Sequence, residues 1–287
     1  MALHVDTRPF GALRPGWLDQ LVLSLTRRMP GSWLGLRAAF LLRRTTTTRI
    51  GKGGLDVEQY GVRLRLYPLG NNCEKGALFT PQLYEAIERK VLARLIGEVA
   101  KSHRPFVFVD LGANVGLFSL IVAQMAGGDI RALAIEPQPG ISERLAFHLA
   151  INPRFDIRPL GVALADREGE VDLFIDPRDR GGSRVGGRGE GESVKVRARL
   201  LNQVLAEEGF HGADVMKVDI SGSEDVVFAP FLEEAEDMIL PRVILIEDSS
   251  AMWTRDLFVL LEGRGYRQGE RSRSNIFFYR DASFLAA

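Results

Sequence analysis

The chain has 287 residues, of which 46% are hydrophobic and 26% charged, a make-up that suits a globular fold with a sizeable core. Its 37 Lys/Arg residues balance 37 Asp/Glu, so no whole-molecule field draws it to nucleic acid, and any such attraction must be local. A single cysteine, Cys73, and four scattered histidines exclude an internal disulfide and a Cys/His zinc site, and a reducing cytoplasm is the expected compartment. No apolar run approaches the roughly 20 residues of a bilayer span. The start, MALHVDTRPF, lacks the charged-then-apolar order of a signal peptide, so neither export nor membrane insertion is expected.

In chain order, residues 1–54 read as a basic helical extension. Up to about residue 52 it carries Arg8, Arg14, Arg27, Arg28, Arg37, Arg43, Arg44, Arg49 and Lys52 against Asp6 and Asp19. Trp17, Leu18, Leu21, Val22 and Leu25 recur at helical spacing, and Trp33, Leu34, Leu36, Ala39, Phe40 and Leu41 follow a Pro30-Gly31 break. Two amphipathic helices are predicted. One reading is a helical cap packed on the main domain; the other is a peripheral contact with the inner membrane face or a partner, because Arg flanking Trp and Leu suits an anionic interface.

Residues 55–287 form the expected main domain, divided into a strand pair and helix over 55–100 and a core over 101–287. Val62, Leu64 and Leu66 alternate within the Leu55–Tyr67 strand pair, and GNNCEKG reads as a turn. A helix is predicted to open at Thr80-Pro81, with Leu83, Ile87, Val91 and Leu95 facing a core. Beyond it FVFVDLG, RALAIEP, DIRPLGVAL, DVMKVDI and RVILIED are strand-like and alternate with helical segments, which implies an α/β fold with a mostly parallel sheet and helices on both faces. GYRQGERSRSNIFFYR reads as an antiparallel C-terminal hairpin on the sheet edge. The Gly- and Arg-rich stretch Asp176 to Ser193 is expected to be a mobile loop and a candidate substrate lid.

The chemistry concentrates where the first core strand ends in Asp110, followed by Gly112, Ala113, Asn114 and Gly116 before an apolar helix. A dinucleotide fingerprint needs G-x-G-x-x-G to seat a pyrophosphate on a helix N-terminus, and the third glycine is missing, which disfavours a nicotinamide oxidoreductase. A carboxylate at the lip of such a turn favours instead a cationic ligand end, such as the ammonium or sulfonium of S-adenosylmethionine. One βα unit later Glu136 ends the second strand before Pro137, where its carboxylate can accept from both hydroxyls of a ribose.

DLGANVG, AIEP, the helix ending HLAIN and above all MKVDISGSE resemble the FkbM family of methyltransferases, over roughly residues 76–280; FTPQLYE at Phe79 to Glu85 adds to the likeness. The resemblance implies a Rossmann-like class I methyltransferase sheet, S-adenosyl-L-methionine as cofactor, and O-methylation of a hydroxyl on a sugar, glycan or other small-molecule acceptor. The alternative is a cofactor-binding protein without transfer activity, acting as a scaffold or regulatory partner.

Deprotonating a hydroxyl needs a base near the strand ends. Asp219 leads the candidates, with Lys217, Glu224 and Glu247 behind it; alternation along Met216, Val218 and Ile220 keeps Lys217 and Asp219 on one side. Each also has a structural reading, as a Lys217–Asp219 pair, a helix-capping Glu224 and a Glu247 held in a network. Asp219, Glu224 and Glu247 together could hold magnesium, but no metal is expected. The family pattern D-x-E-G-x-E appears here as Asp219 to Glu224 with Ser221 in place of the middle carboxylate, and Asn202 stands where another family acid is usual. His148 reads as helix packing near the adenine side of the cofactor, and His211 as a loop residue.

Overall fold

A computed structural model of the chain describes residues 6–176, 182–185, 192–281 and 284. Helices α1 (Trp17–Thr26) and α2 (Trp33–Ile50) run antiparallel, with the start of α1 tied to the end of α2 by an ion pair between the buried Asp19 and Arg49. They pack inward through Leu23, Thr26, Ala39 and Thr46. Their Trp and Leu stripe points outward, with Trp17, Leu18, Leu21, Leu25, Trp33, Leu34, Leu36, Phe40 and Leu41 all exposed. Most of the apolar residues whose periodicity predicts the helices therefore mark their free face, while Leu23, Thr26, Ala39 and Thr46 make the contact, with Val22 and Ile50 packed against the core.

Strands β1 (Leu55–Gln59) and β2 (Val62–Leu66) pair antiparallel. Across them the buried Arg65 meets both oxygens of Asp56, at 2.6 and 2.9 Å, and its remaining N–H groups donate to the carbonyls of Asp6, Arg8 and Pro9. That fixes the described part of the N-terminal segment to the strand pair.

GNNCEKG, read above as a turn, is instead the start of helix α3 (Asn72–Phe79): the Asn71 side chain accepts the Glu74 N–H and caps it. The helix expected at Thr80-Pro81 is displaced to α4 (Ala86–Ala100), because residues 81–85 form a turn and Glu85 takes a left-handed φ of 46°. In consequence Leu83 and Ile87 are exposed, and α4 buries Val91, Leu92, Leu95, Ile96 and Val99 instead.

The core then alternates: β3 (Phe106–Leu111), α5 (Leu117–Met125), β4 (Ile130–Ile135), α6 (Pro139–Ala150) and β5 (Asp156–Leu160). Strands β6 (Ala163–Leu164), β7 (Gly169–Ile175), β8 (Arg184–Val185) and β9 (Glu192–Arg199) interrupt that rhythm, and α7 (Leu201–Glu208), β10 (Val215–Val218), α8 (Glu224–Glu234) and β11 (Val243–Glu247) restore it. Helix α9 (Leu257–Gly263) leads into the hairpin β12 (Arg267–Arg271) and β13 (Asn275–Tyr279).

Among the described residues the strands make three sheets: the β1–β2 pair, a seven-stranded sheet ordered β12-β13-β11-β10-β3-β4-β5, and a four-stranded sheet ordered β6-β9-β7-β8. In the large sheet β11, β10, β3, β4 and β5 are parallel, and β13 joins β11 antiparallel. Period-two alternation sends Phe106 and Phe108 of β3 to the layer of α4 and α5, and Val109 and Leu111 to the layer of α7 and α8. The fold is thus α/β with helices on both faces of a mostly parallel sheet.

The small sheet is absent from the sequence reading. Val171, Leu173, Val196 and Ala198 supply its buried face, and both flanks of the expected loop are strand. Of that loop, residues 177–181 and 186–191 lie outside the described residues, and with them the lid expectation. Among the described residues no helix is long and apolar enough to cross a membrane.

Candidate active site

The order of the large sheet reverses between β3 and β10, since the chain runs from β3 outward to β4 and β5 and then returns to place β10 on the other side. Ligands of open α/β sheets bind beyond the strand carboxyl ends at such a point. A cleft of about 950 Å³, solvent-open space included, lies there. Its walls include Asp110, Gly112, Ala113, Asn114, Glu136, Pro137, Lys217 and Asp219. Gly116, Glu224 and Glu247 do not line it.

Parallel register sets Lys217 of β10 beside Asp110 of β3. Both are buried, with Lys217 Nζ 4.0 Å from Asp110 Oδ1 and 2.6 Å from Asp219 Oδ2. Burial opposes the ammonium charge, but Asp219 and Asp110 outweigh it and hold Lys217 protonated far above the usual lysine range. Asp110 is pushed up by burial, against Lys217 and a 2.6 Å hydrogen bond from Ser119 to Oδ2. Its Oδ1 has no hydrogen-bond partner. The expected lip carboxylate is therefore a floor carboxylate at 0% exposure, and the cation nearest to it belongs to the protein.

Gly112 has φ 81°, and a Cβ there would fall on the Asp219 carbonyl; Gly116 has φ 76°, and a Cβ would strike Leu145. Crowding by the β10 loop and by α6 thus requires glycine at these two positions. Asn114, at φ 52°, spends its amide oxygen on the Asn71 side chain and the Val115 N–H, both at 2.9 Å.

Glu136 is held from below by backbone donors. Its Oε2 accepts the Asn114 N–H and its Oε1 the Gln138 N–H, each at 2.9 Å, which leaves lone pairs on both oxygens for the cleft. Burial raises its pKa to about 7 in spite of those two bonds.

Glu224 faces away. Its Oε1 accepts the N–H groups of Ile220 and Gly222, both at 3.0 Å, and its Oε2 accepts Trp253 Nε1–H at 2.9 Å, so it clamps the loop that presents Asp219. Glu247 accepts from Ser249 Oγ, and burial, Asp219 and Glu224 raise its pKa to about 7. Among the described residues no group of three or more His, Cys, Asp or Glu is placed to hold a metal.

The sequence reading misses Glu85 and Tyr84, which line the same cleft from the turn before α4. Glu85 is bonded to Asn275 Nδ2 at 3.1 Å, and its pKa is raised to about 7, first by burial and then by Glu88. The strained turn that aims it has no signature in FTPQLYE, which reads as an ordinary helix start. Ser221 also lines the cleft, at a left-handed φ of 56°.

Residues 110–268 match the model of the methyltransferase FkbM domain. The chain belongs to that family. The FkbM match starts at Asp110 itself and runs through the MKVDISGSE loop, so it spans the cleft walls from β3 to β10 and leaves out Tyr84 and Glu85.

Among proteins similar to this FkbM-family chain, methyltransferase sdnD of Sordaria araneosa is 28% identical over 144 residues, covering 50% of this chain and 55% of that protein. AMB antimetabolite synthetase AmbE of Pseudomonas aeruginosa is 28% identical over 154 residues, covering 41% of this chain and 7% of that one. The matched region thus amounts to about half of the first relative and a small part of the second. Of solved structures, a human methyltransferase 10 domain containing protein aligns with a TM-score of 0.47 at 12% identity, over 88% of this chain and 99% of that chain. Monomeric WbdD aligns with a TM-score of 0.43 at 14% identity, over 72% and 44%.

The described histidines of this FkbM protein are outside the cleft lining. His148 is buried, its Nδ1 donating to the Val115 carbonyl at 2.7 Å and its Nε2 accepting the Arg65 N–H at 2.9 Å, so it bolts α6 to the strand pair and does not line the cleft. His211 is an exposed loop residue.

Proposed function

We propose that this methyltransferase uses S-adenosylmethionine and methylates a hydroxyl of a sugar, glycan or other small molecule. The observation that carries the reading is the pair of buried carboxylates at the ends of adjacent strands: Glu136 with lone pairs on both oxygens turned to the cleft, and Asp110 on its floor with an Oδ1 that accepts no hydrogen bond and lies 4.0 Å from Lys217 Nζ. Glu136 accepts hydrogen bonds from the ribose hydroxyls, and Asp110 Oδ1 from the cationic amino-acid end or a water held by it. Ile135, Val162 and Leu164 give the apolar wall that an adenine ring requires. The cofactor, when bound, supplies a methyl carbon activated by a sulfonium.

The chain's own contribution is to align the acceptor and take its proton. Asp219, fixed by Lys217, accepts a hydrogen bond from the acceptor hydroxyl and orients it. Glu85, on the same cleft and titrating near neutrality, takes the proton. Ser221 replaces a family carboxylate with a group that both donates and accepts, which suits a hydroxyl-rich acceptor. A binding protein without transfer activity is the weaker alternative, since it leaves Glu85, a cleft-lining carboxylate in a left-handed turn, without a task.

Calorimetric titration with S-adenosylmethionine tests the cofactor assignment. Binding is expected in the native chain and a loss of at least about tenfold in Glu136→Gln and Asp110→Asn; full affinity in both variants overturns it. Transfer of labelled methyl to hydroxyl-bearing cell extracts, lost in Glu85→Gln, tests the chemistry. Cofactor binding with no transfer to any extract would favour the binding-protein alternative.

A further inference from the structure

From residue 7 to residue 55 the chain carries nine cations, Arg8, Arg14, Arg27, Arg28, Arg37, Arg43, Arg44, Arg49 and Lys52, and a single carboxylate, Asp19. That carboxylate is buried and paired with Arg49, so α1, α2 and the links around them present no anionic side chain to solvent. The rest of the molecule must be correspondingly acidic, since the total charge is +0.

The same two helices carry the molecule's most conspicuous apolar exposure. Trp17, Leu18, Leu21 and Leu25 lie at i, i+1, i+4 and i+8, one continuous stripe of α1 opposite the buried Asp19, Leu23 and Thr26. On α2, Trp33, Leu34, Leu36, Phe40 and Leu41 share a broad face with Arg37 and Arg44, opposite the buried Gly35, Ala39 and Thr46. Trp17 is 74% exposed, Trp33 66%, Leu34 71% and Leu41 65%, values that leave most of each residue in solvent. The Arg37 guanidinium lies 4.8 Å from the Trp33 ring centroid and that of Arg43 4.6 Å from Phe40, so cations and aromatic rings interleave on one surface.

We propose that the α1–α2 face docks on the surface of a bilayer containing anionic lipids. Aromatic and aliphatic side chains enter the headgroup boundary, and Arg37, Arg43 and Arg44 of α2, a helix with no Asp or Glu in its sequence, meet lipid phosphates. A second copy of the chain fits poorly, because an isologous contact would bring together two α2 faces that carry arginines and no carboxylate.

Docking here reaches the cleft through few bonds. Gln82 Nε2 donates to the carbonyls of Thr26 and Met29, at 3.2 and 2.8 Å, fastening the α1–α2 connection to the turn that carries Tyr84 and Glu85.

The test is flotation of the full chain with vesicles of phosphatidylcholine alone and of phosphatidylcholine mixed with phosphatidylglycerol. Binding is expected only to the mixed vesicles, with a blue shift of tryptophan emission, since two of the three tryptophans lie on this face and the third, Trp253, is half-buried. Trp33→Ser with Leu41→Ser, and separately Arg37→Gln with Arg43→Gln and Arg44→Gln, should each weaken binding at least about tenfold. All five positions are exposed or half-buried and outside the core, so the variants keep their thermal unfolding midpoints, which is checked alongside. Three results would overturn the proposal: no binding to mixed vesicles, unchanged binding in both variants, or a native dimer in sedimentation that the Trp33/Leu41 variant abolishes.

Discussion

The ammonium of Lys217 sits 2.6 Å from Asp219 and 4.0 Å from Asp110, joining two neighbouring strands through one buried cation. Lys217→Met leaves a fully buried carboxylate without a nearby positive charge. It should cost about 3 kcal/mol, the scale for breaking a buried pair by removing one partner. Urea unfolding measures this, and a loss below 1 kcal/mol, on the order of a surface pair, would show that the pair does not hold the two strand ends.

Gly112→Ala and Gly97→Ala should have opposite signs. At Gly112 a side chain meets the Asp219 carbonyl at φ 81°, and a loss of more than about 2 kcal/mol is expected. At Gly97, within α4 and facing open space, alanine should add about 0.5–1 kcal/mol. Denaturant midpoints of the two variants decide this, and equal effects would be inconsistent with the crowded turn.

His148 gives stability a pH dependence. Burial lowers its pKa to about 4 from 6.5, so between those values the unfolded chain binds the extra proton and the folded one does not. Stability from this group is present above pH 6.5 and declines as pH falls toward 4, by about 3 kcal/mol over the window. His148→Gln should lose that slope. Its stability difference from the native chain should shrink on acidification, and a constant difference would assign the slope elsewhere.

Glu136 and Glu85 titrate in the opposite sense, with pKa values raised to about 7. Hydrogen bonds from ribose hydroxyls favour the ionised Glu136, so affinity for S-adenosylmethionine should rise by up to about tenfold per pH unit until pH 7 and then level. Glu136→Gln should bind weakly at every pH. A native affinity independent of pH between 5 and 8 would speak against Glu136 as the ribose partner.

Proton uptake by Glu85 makes kcat/KM rise with pH to a plateau above about 7. Glu85→Gln should lower kcat by about 10²–10⁴-fold and flatten the profile. Glu247 shares the raised pKa but is absent from the cleft wall, so Glu247→Gln should keep the native profile. The reverse assignment follows if Glu247→Gln flattens it and Glu85→Gln does not.

Much of this protein is local in sequence and was legible there. Apolar runs ending in Asp110, Glu136 and Asp219 specify buried parallel strands, and in such a sheet the residues just after each strand must meet at one edge. The family-bearing motifs sit on those same ends. Alternation also places Lys217 and Asp219 on one side, because period two is a property of the strand and needs no neighbour.

What tertiary structure decided depends on which neighbour arrives. Asp110 becomes a floor residue because register brings Lys217 beside it, and Gly112 is crowded by a loop more than a hundred residues away in the chain. Glu85 enters the cleft through a left-handed residue that helix propensity does not anticipate. Helical periodicity in α1 and α2 marks an apolar face, but the partner of that face is not encoded in the period; here the fold buries Leu23, Thr26, Ala39 and Thr46 and leaves tryptophan, most of the leucines and arginine outside, because a period fixes which residues share a face and not which face finds a partner.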